Sequence, residues 1–284
     1  MADWDARQYL QFESERTRPA IDLLARVEGS ASRAVDLGCG PGNSTELVVA
    51  RFPEAEVIGV DSSDAMLAQA RVRLPKLVFE KADIASWRAA APFDVIFANA
   101  VMHWVAGHIS VMGRLIDELA PGGRLAVQMP DSLDEPAQML ARESAALTPF
   151  ADKLAGALAQ RETIGAFEDY YAGLAARGAR LDLWSTTYAH VLPGPEAIVE
   201  WMKGAGLRPF LDPLSGGEKK DFLAAYGAAI AKAYPPLPDG RVLFRFPRLF
   251  IVAVKDAPRR GSRRVKGSRP QSTRRAMIAQ QDRR

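Results

Sequence analysis

The sequence predicts an α/β fold in which strands and helices alternate around a mostly parallel sheet. Four short apolar runs, at 34–37, 56–60, 77–80 and 93–99, are separated by stretches with the spacing of amphipathic helices. The first run ends in alternating glycines and passes directly into a helical pattern. With 284 residues, of which 48% are hydrophobic, the chain is long enough to bury a full α/β core and an additional part.

The first 30 residues are predicted to form an N-terminal arm and a helix. Trp4, Tyr9 and Phe12 make this terminus unusually aromatic, and Pro19 suits the first turn of a helix that continues to Val27. Two interpretations of the aromatic arm remain open: it closes over a pocket, or it fills the edge of the domain.

The glycine-rich turn after the first strand has the pattern of a ligand-binding loop. Gly38, Gly40 and Gly42 allow a tight turn with no Cβ in the way of an approaching ligand. The dinucleotide fingerprint G-x-G-x-x-G fails, because its third glycine would fall at Asn43. Asp36 precedes the turn, and its carboxylate would repel a pyrophosphate but attract an ammonium group. A glycine turn without any ligand is the alternative.

The second strand ends in an acidic residue at the position where nucleoside-binding folds hold a ribose. Asp61 lies 25 residues after Asp36, close to the roughly 20-residue offset of such a carboxylate. Ser62 follows it, and Met66 lies on the next helix, either against an adenine ring or in the core. The two strand ends together predict a nucleoside site.

The third and fourth strands also end in polar residues. Asp83 and Ile84 follow the third strand, and Asp83 is alternatively the cap of a following helix. The fourth strand ends in Asn99, with His103 and Trp104 shortly after it. Because ligands bind at the carboxyl ends of strands in open α/β sheets, we expect Asn99, His103 and Trp104 to face the reaction site.

The alternation of strands and helices breaks after residue 130. We predict an arm and helix at 1–30, a ligand-binding core at 31–130 and a helical insertion at 131–180. Strands and helices at 181–255 complete the sheet, and 256–284 forms a basic tail. An insertion at the carboxyl edge of the sheet is well placed to cover the pocket and select the ligand.

Charge is divided unevenly along the chain. Residues 256–284 carry a net charge of +8, so the total of +3 leaves −5 for the first 255 residues. The tail is expected to be disordered, and the acidic remainder disfavours nucleic acid as a partner. No apolar run is long enough to span a bilayer and no signal-peptide pattern is present. With the single Cys39 and no metal-ligand spacing, these features predict a cytoplasmic protein without a metal site.

The pattern D-x-G-x-G-x-G resembles motif I of the class I S-adenosylmethionine-dependent methyltransferases. Further segments, among them FANAVMHW, TTYAHVL, GLRPFL and FPRLFIVA, are similar to the trans-aconitate 2-methyltransferase family over residues 3–255. The resemblance implies a Rossmann-like, seven-stranded sheet with an antiparallel last strand, and a helical insertion that caps the active site. It implies S-adenosylmethionine as the cofactor, held by Asp36, Gly38, Gly40, Gly42, Asn43, Asp61, Ser62, Met66, Asp83, Ile84 and Asn99. Asp83 is expected to accept a hydrogen bond from the adenine amino group.

The implied reaction joins a methyl group to a carboxylate of a small tricarboxylic acid, and gives a monomethyl ester and S-adenosylhomocysteine. A carboxylate is already ionised at neutral pH, so no general base is needed. Arginine suits carboxylate recognition, and the predicted acceptor-binding residues are Arg16, Arg18, Tyr171, Arg208 and Arg248.

We expect the arginines to hold the carboxylates that do not react. Pairing the attacking oxygen with an arginine would stabilise the ground state more than the transition state, because the negative charge disappears during transfer. The attacking carboxylate then meets weaker donors, and the predicted catalytic residues are Trp104, Tyr188 and His103.

Two other functions remain open: methylation of a different small molecule at oxygen or carbon, and cofactor binding without catalysis. A phenol or ring-carbon acceptor would need a base or an apolar slot. A nucleic-acid methyltransferase is disfavoured by the missing Asn-Pro-Pro-Tyr type motif, and a nicotinamide dehydrogenase by Asp36 and Asn43. Among tricarboxylic acids, trans-aconitate, cis-aconitate, isocitrate and citrate stay open, since rejecting an isomer depends on pocket geometry.

Overall fold

The computed structural model describes residues 12–147, 149–158, 164–204 and 206–257. Trp4 and Tyr9 of the expected arm, and the basic tail from residue 258 onward, lie outside the described residues. The strands are β1 (Arg33–Leu37), β2 (Glu56–Asp61), β3 (Val78–Lys81), β4 (Phe93–Asn99), β5 (Leu119–Pro130), β6 (Ala179–Leu192) and β7 (Val242–Lys255).

The helices follow the strands in the order that the sequence predicts. They are α1 (Glu13–Ala25), α2 (Asn43–Arg51), α3 (Asp64–Arg73), α4 (His108–Asp117), α5 (Pro136–Ala146), α6 (Ala151–Leu158), α7 (Phe167–Ala175), α8 (Pro195–Lys203), α9 (Arg208–Leu211) and α10 (Gly216–Ala233). A single 3-10 turn spans Met102–Trp104 in the described chain. None of the described helices combines the length and apolar character needed to cross a bilayer.

The sheet has seven strands in the order β3-β2-β1-β4-β5-β7-β6. Strands β1 to β5 pair in parallel, and β7 is antiparallel to both β5 and β6. The predicted seven-stranded, mostly parallel sheet with an antiparallel last strand is confirmed. Strand order reverses between β1 and β4, so a crevice opens at the carboxyl ends of these two strands, where open α/β sheets bind ligands.

Each face of the sheet is covered by helices because side chains alternate along the buried strands. On β4, Ile96 joins the cluster that contains Leu115 of α4 and Tyr170 of α7. Phe97 points to the opposite face, into the cluster that contains Leu23 of α1. Three of the arginines predicted to bind the acceptor, Arg16, Arg18 and Arg248, lie on the face covered by α1.

A separate cluster of buried residues is formed mainly by helices. Phe150, Trp201, Phe222 and Tyr226 join α5, α6, α8 and α10 to Phe244 of β7. The predicted insertion is therefore divided: α5 and α6 pack with the C-terminal helices, whereas α7 packs on α4 at the other face. The helical cluster lies beside the part of the β6–β7 hairpin that continues beyond the end of β5.

The first helix differs from its prediction. It begins at Glu13, so Pro19 lies inside it and not in its first turn. The acidic side chains of Glu13 and Glu15 favour a helix N-terminus at this earlier position. Pro19 removes one helical hydrogen bond, while Leu23 and Leu24 remain fully packed against the sheet.

Candidate active site

The glycine turn after β1 is tightly packed at Gly38 and open at Gly40. Gly38 has φ +70°, and a Cβ at this position would lie 2.4 Å from Cγ2 of Val101. The amides of Gly38 and Cys39 both donate to the carbonyl of Val60, at 2.7 and 3.0 Å. Gly40 has φ +54° and nothing within 4 Å of an added Cβ. The turn is therefore fixed at one end and exposes bare backbone at the other.

Asp61 at the end of β2 holds this turn in place. Its Oδ2 accepts a hydrogen bond from the Gly40 amide at 2.9 Å, and its Oδ1 accepts one from the Ser63 amide at 2.9 Å. Ser63 in turn caps α3, because its Oγ accepts from the Met66 amide at 3.2 Å. Each carboxylate oxygen of Asp61 keeps acceptor capacity for a ligand hydroxyl.

A cavity opens at the carboxyl ends of β1, β2 and β4, above the glycine turn. The predicted residues that line it are Gly38, Gly40, Asp61, Ser62, Met66, Asp83, Ile84, Asn99 and Trp104. Pro41, Ala82, Ala100, Val101 and Val105 complete the lining, and the sequence reasoning did not single them out. The structure thus brings most of the predicted cofactor residues together around one space.

Three residues predicted to contact the cofactor lie outside that lining. Asp36 is completely buried, and its Oδ2 accepts from the hydroxyls of Ser44 and Thr45, both at 2.7 Å. Gly42 precedes α2 in a left-handed conformation, and Asn43 is buried with its Nδ2 3.4 Å from the Thr17 hydroxyl. These residues lie beneath the turn and support it, and their direct contact with the cofactor stays a prediction.

Burial gives Asp36 an unusual ionisation. Desolvation raises the pKa of its carboxyl to about 7, although the hydrogen bonds from Ser44 and Thr45 oppose the rise. The nearby negative charge of Asp61 raises the pKa further. Oδ1 of Asp36 has no hydrogen-bond partner in the described part of the chain. A positive charge bound above the glycine turn would favour the ionised form of this group.

The loops after β3 and β4 supply the opposite wall. Asp83 accepts from the Ala85 amide at 2.9 Å and begins a turn rather than the helix that was its alternative interpretation. Ala100 adopts φ 55°, an uncommon conformation for a residue with a side chain. Asn99 is buried, and its Oδ1 has no hydrogen-bond partner among the residues described.

Trp104 and His103 are neighbours with different environments. Trp104 lines the cavity and is 36% exposed. His103 is buried outside the lining, with its ring centroid 5.0 Å from that of Trp104. Of these two residues predicted to be catalytic, only Trp104 faces the cavity, and His103 packs against it.

Two buried arginines lie beyond Asn99 on the face covered by α1. Arg16 is 6% exposed, and its Nη2 donates to the Trp201 carbonyl at 2.9 Å, with its guanidinium 4.8 Å from the centre of the Trp201 ring. Arg248 is 3% exposed, and its Nη1 donates to Oε1 of Gln128 at 3.0 Å. Buried guanidinium groups are rare in proteins unless they serve a charged partner.

His190 reports how closely the arginines converge. Burial lowers the pKa of its imidazole to about 4, and the positive charges of Arg248, Arg18 and Arg16 lower it further, in that order. His190 is therefore neutral at pH 7. Its Nε2 has no hydrogen-bond partner within the described ranges, and its ring packs against Trp201 at 4.8 Å. Two arginines of α1 and one of β7, which are distant in sequence, thus act on one buried side chain.

Tyr188 is committed to a neighbour on α1. Its hydroxyl donates to Oδ2 of Asp22 at 2.5 Å, and the Arg18 guanidinium lies 5.1 Å from its ring centre. Burial and the contact with Asp22 raise the pKa of the hydroxyl above its ordinary value. The sequence predicts that Tyr188 donates to the attacking carboxylate, but in this structure its one hydroxyl proton is donated to Asp22.

The two remaining residues predicted to bind the acceptor do not join this group. Tyr171 on α7 is 60% exposed. The preceding residue, Tyr170, is buried, and its hydroxyl lies 2.9 Å from Nε2 of His108. This helix covers the face opposite to α1, so Tyr171 lies apart from Arg16, Arg18 and Arg248. Nη2 of Arg208, the first residue of α9, lies 3.9 Å from Oδ2 of Asp212, which follows this helix. A role for Arg208 in acceptor binding stays a prediction.

Gln128 is the polar residue that sequence reasoning missed. It is fully buried on β5, where it joins Arg248 to the strand that follows the cavity. The available signal was one amide inside the otherwise apolar run Leu125-Ala126-Val127-Gln128-Met129. A polar side chain in a central strand carries a desolvation cost, and this makes it informative.

Comparison with known proteins agrees with this geometry. A family profile described as a methyltransferase domain matches residues 34–123. The YcgJ protein of Bacillus subtilis has a TM-score of 0.55 at 15% identity, over 85% of this chain and 100% of that chain. A phosphoethanolamine N-methyltransferase 2 of Haemonchus contortus, solved in complex with S-adenosyl-L-methionine, gives 0.53 at 18% identity, over 88% of this chain and 56% of that chain. The fold is that of the class I S-adenosylmethionine-dependent methyltransferases.

Closer relatives are found by sequence. A trans-aconitate 2-methyltransferase of Methylobacterium nodulans is 59% identical over 254 residues, which are 89% of this chain and 98% of that protein. One from Rhodopseudomonas palustris is 56% identical over 256 residues, 90% of this chain and 100% of that protein. One from Sinorhizobium medicae is 54% identical over 254 residues, 89% of this chain and 99% of that protein. The chain belongs to the trans-aconitate 2-methyltransferase family.

Proposed function

We propose that this chain transfers a methyl group from S-adenosylmethionine to a carboxylate of trans-aconitate, giving the monomethyl ester and S-adenosylhomocysteine. Relatives at 53 to 59% identity carry the name of this activity. The structural observation that carries the proposal is a group of three guanidinium groups around His190. Those of Arg16, Arg18 and Arg248 lie 4.8, 5.1 and 4.8 Å from the ring centres of Trp201, Tyr188 and Phe246, and these three rings are neighbours of the His190 ring. Such a concentration of positive charge suits a ligand with several carboxylates.

The cavity fits S-adenosylmethionine. The bare backbone at Gly40 leaves room for close approach, and Asp61 is placed to accept hydrogen bonds from ribose hydroxyls. Asp83 would accept from the adenine amino group, with Met66 against the ring. When bound, this cofactor supplies an electrophilic methyl group on a positively charged sulfur. The carboxyl groups of Asp36 and Asp61 make this end of the sheet suitable for a cation.

The arginines would hold the acceptor on the other side of Asn99. Arg248 and Arg16 are fixed by the contacts with Gln128 and the Trp201 carbonyl, so their guanidinium groups are already oriented. Orientation before binding lowers the entropy that the complex must lose. We assign the two buried arginines to the carboxylates that do not react.

The ionisable groups fit an acceptor that needs no base. With a pKa of about 4, His190 is a weak base at neutral pH. The raised pKa keeps the Tyr188 hydroxyl protonated. A carboxylate, with a pKa of about 4, is already the nucleophile, whereas a phenol with a pKa of about 10 would have to lose a proton first. The described groups therefore favour a carboxylate over the alternative acceptors.

We propose a division of labour along the chain. Residues 31–130 would bind the cofactor, and residues 1–30, 131–180 and 181–255 would form the acceptor pocket and its cover. The hydrogen bond from Arg16 to Trp201 and the packing of α5 with α8 and α10 support the second assignment. We also propose a cytoplasmic enzyme that needs neither nucleic acid nor a membrane as partner, with no catalytic role for the tail at 256–284.

A transfer assay tests this function. Full-length chain and labelled S-adenosylmethionine are offered trans-aconitate, cis-aconitate, citrate, isocitrate and a phenolic acid, and kcat/KM is measured for each. We expect trans-aconitate to be methylated fastest. Faster methylation of the phenol would support a different acceptor class. Cofactor binding without turnover of any acid would contradict the proposal.

A further inference from the structure

Gln128 is placed to act on the acceptor directly. We propose that its amide NH₂ donates a hydrogen bond to the carboxylate that attacks the methyl group, while its carbonyl orients Arg248 toward the carboxylates that do not react. This inference rests on the function proposed above. It gives Gln128 the part of a catalytic residue that the sequence assigned to Tyr188.

The contact with Arg248 fixes the orientation of the amide. Arginine has only hydrogen-bond donors, so the group 3.0 Å from its Nη1 must be the carbonyl oxygen Oε1 of Gln128. The NH₂ group consequently points to the other side. Although Gln128 is fully buried, Nε2 has no hydrogen-bond partner in the described chain. Leaving a buried donor unsatisfied is unfavourable, so a ligand that accepts from it would bind with a clear gain.

The position of Gln128 in the sheet places that donor at the boundary between the two halves of the site. Gln128 on β5 is in register with Asn99 on β4, and neighbouring strands lie about 4.8 Å apart. Register partners point to the same face, so the two amides are side by side. Asn99 lines the cofactor cavity, and Gln128 contacts Arg248. A carboxylate between cavity and arginines would meet the Gln128 amide.

A neutral donor is the right kind of group for this oxygen. In the transfer, the attacking carboxylate oxygen forms the O–CH₃ bond while the S–CH₃ bond breaks and the sulfur keeps the electron pair; no proton moves. The negative charge on the oxygen therefore disappears. Hydrogen bonds from charged donors are about twice as strong as neutral ones and would hold back this oxygen more. An amide orients it at lower cost.

Two substitutions separate a donor from a purely structural group. Gln128→Met keeps the length of the side chain but removes both amide functions. Gln128→Glu keeps an acceptor for Arg248 but has no NH₂ at neutral pH. The matched control is Gln138→Met in the helical cluster, because Gln138 is also buried and its Nε2 donates to a sulfur, Met202 Sδ, at 4.0 Å.

We expect kcat for trans-aconitate to fall roughly 10- to 100-fold in Gln128→Met and at least as much in Gln128→Glu, as for loss of one buried hydrogen bond or more. Affinity for S-adenosylhomocysteine should stay within about twofold of the wild type in both variants, since Gln128 is outside the cofactor lining. Gln138→Met should keep kcat. Wild-type kcat in Gln128→Glu, or a rise in KM alone in both variants, would overturn the donor role.

A binding experiment supplies a readout that does not depend on turnover. In the complex with S-adenosylhomocysteine, the side-chain NH₂ protons of Gln128 are assigned by their loss in Gln128→Glu and followed by NMR during addition of trans-aconitate. We expect a downfield shift as the amide donates to the acceptor. Saturable binding without a shift would overturn the inference even if a variant fails to fold. Absence of both binding and turnover in the wild type would instead refute the proposed function.

Discussion

The proposed cofactor half of the site is formed largely by backbone and strand ends that follow one another in sequence, whereas the proposed acceptor half is formed by side chains from distant elements. Gly38, Gly40 and Asp61 belong to one βαβ unit, and the hydrogen bonds of the two glycine amides fix the turn. By contrast, Arg16 on α1 and Arg248 on β7 lie over the neighbouring rings of Trp201 and Phe246, which come together only when the fold is formed. The charges differ as well: carboxyl groups lie below the first half and guanidinium groups surround the second.

From this difference we infer that the two ligands are recognised by different means. A turn of fixed backbone accepts a common cofactor with little dependence on the rest of the chain. A set of arginines supported by an aromatic and helical cover can change its ligand through a few side chains. Substitutions in one half should therefore affect one ligand and spare the other.

The largest effect is expected at Arg248 in the acceptor half. Arg248→Leu removes a buried charge from the proposed carboxylate site, so kcat/KM for trans-aconitate should fall roughly 10³-fold, mainly through KM, as for a buried charged contact. Arg248→Lys keeps the charge without the planar fork and should lose less. The measurement is steady-state kinetics together with calorimetric binding of S-adenosylhomocysteine.

Arg245→Leu is the matched control for Arg248. Arg245 lies on the same strand, but its side chain is 65% exposed and only 3.7 Å from Glu135 in a surface ion pair. Such pairs contribute little, so both ligands should bind as in the wild type. Equal damage to cofactor and acceptor binding in Arg248→Leu would contradict the separation of the two halves.

The buried carboxyl group below the cofactor half is tested at Asp36. Burial raises the pKa of its carboxyl from 3.8, the ordinary value of an exposed aspartate, to about 7, so between these pH values the folded state keeps a proton that the unfolded state has lost. Stability from this group is therefore lost as the pH rises from 5 to 8, by roughly 3 kcal/mol. Asp36→Asn has no such proton, and its stability should fall less over the same range.

Urea unfolding of the ligand-free protein at pH 5 and pH 8 measures this difference. The other titrating groups are common to both proteins, so the difference in slope belongs to Asp36. Identical pH dependence of the two proteins would mean that burial does not raise the pKa of the Asp36 carboxyl.

A smaller effect is expected at the glycine turn. Gly38→Ala introduces a side chain at φ +70° against Val101, at a cost of about 1–2 kcal/mol for the conformation alone, so cofactor affinity should fall roughly tenfold or more. Gly240→Ala is the control, because Gly240 also has a positive φ, +80°, with nothing within 4 Å of its Cβ. Calorimetric titration with S-adenosylhomocysteine should separate the two; similar affinities would argue against close packing as the reason for Gly38.

The cofactor half was largely predictable from the sequence because its signals are local. The glycine turn, Asp61 and Asn99 are each at a recognisable distance from a strand end, and a short motif fixes them. The sheet followed from the same alternation, and its antiparallel strand from the family resemblance. Asp36 was placed correctly in the chain, but its burial below the turn depends on Ser44 and Thr45, which turn their hydroxyls inward.

The acceptor half was only partly predictable because it depends on register. Arg16 and Arg248 were chosen for their chemistry, and the pairing of β5 with β7 places Arg248 beside Gln128. Tyr188 has suitable chemistry but is taken by Asp22, 166 residues away along the chain. Tyr171 faces solvent because its neighbour Tyr170 occupies the buried side of α7. None of these outcomes is written in a short motif.

The pKa of His190, measured by NMR with and without trans-aconitate, is the decisive test of the proposed acceptor site. The chain has three histidines, so the NMR titration is simple, and substitution of His190 by Gln assigns its signal. The pKa of His190 is about 4 in the ligand-free protein, lowered by burial and the three arginines. Carboxylates bound among those arginines should raise this pKa by about one unit or more in the complex with S-adenosylhomocysteine and trans-aconitate, because they favour the charged imidazole.

His108 provides a reference signal in the same spectra. It is bonded to Tyr170 on the opposite face of the sheet, so trans-aconitate should leave the chemical shift of its ring protons unchanged. We expect the pKa of His190 to rise on binding. Saturable binding of trans-aconitate with no change at His190 would contradict this expectation, because the acceptor would then lie away from Arg16, Arg18 and Arg248.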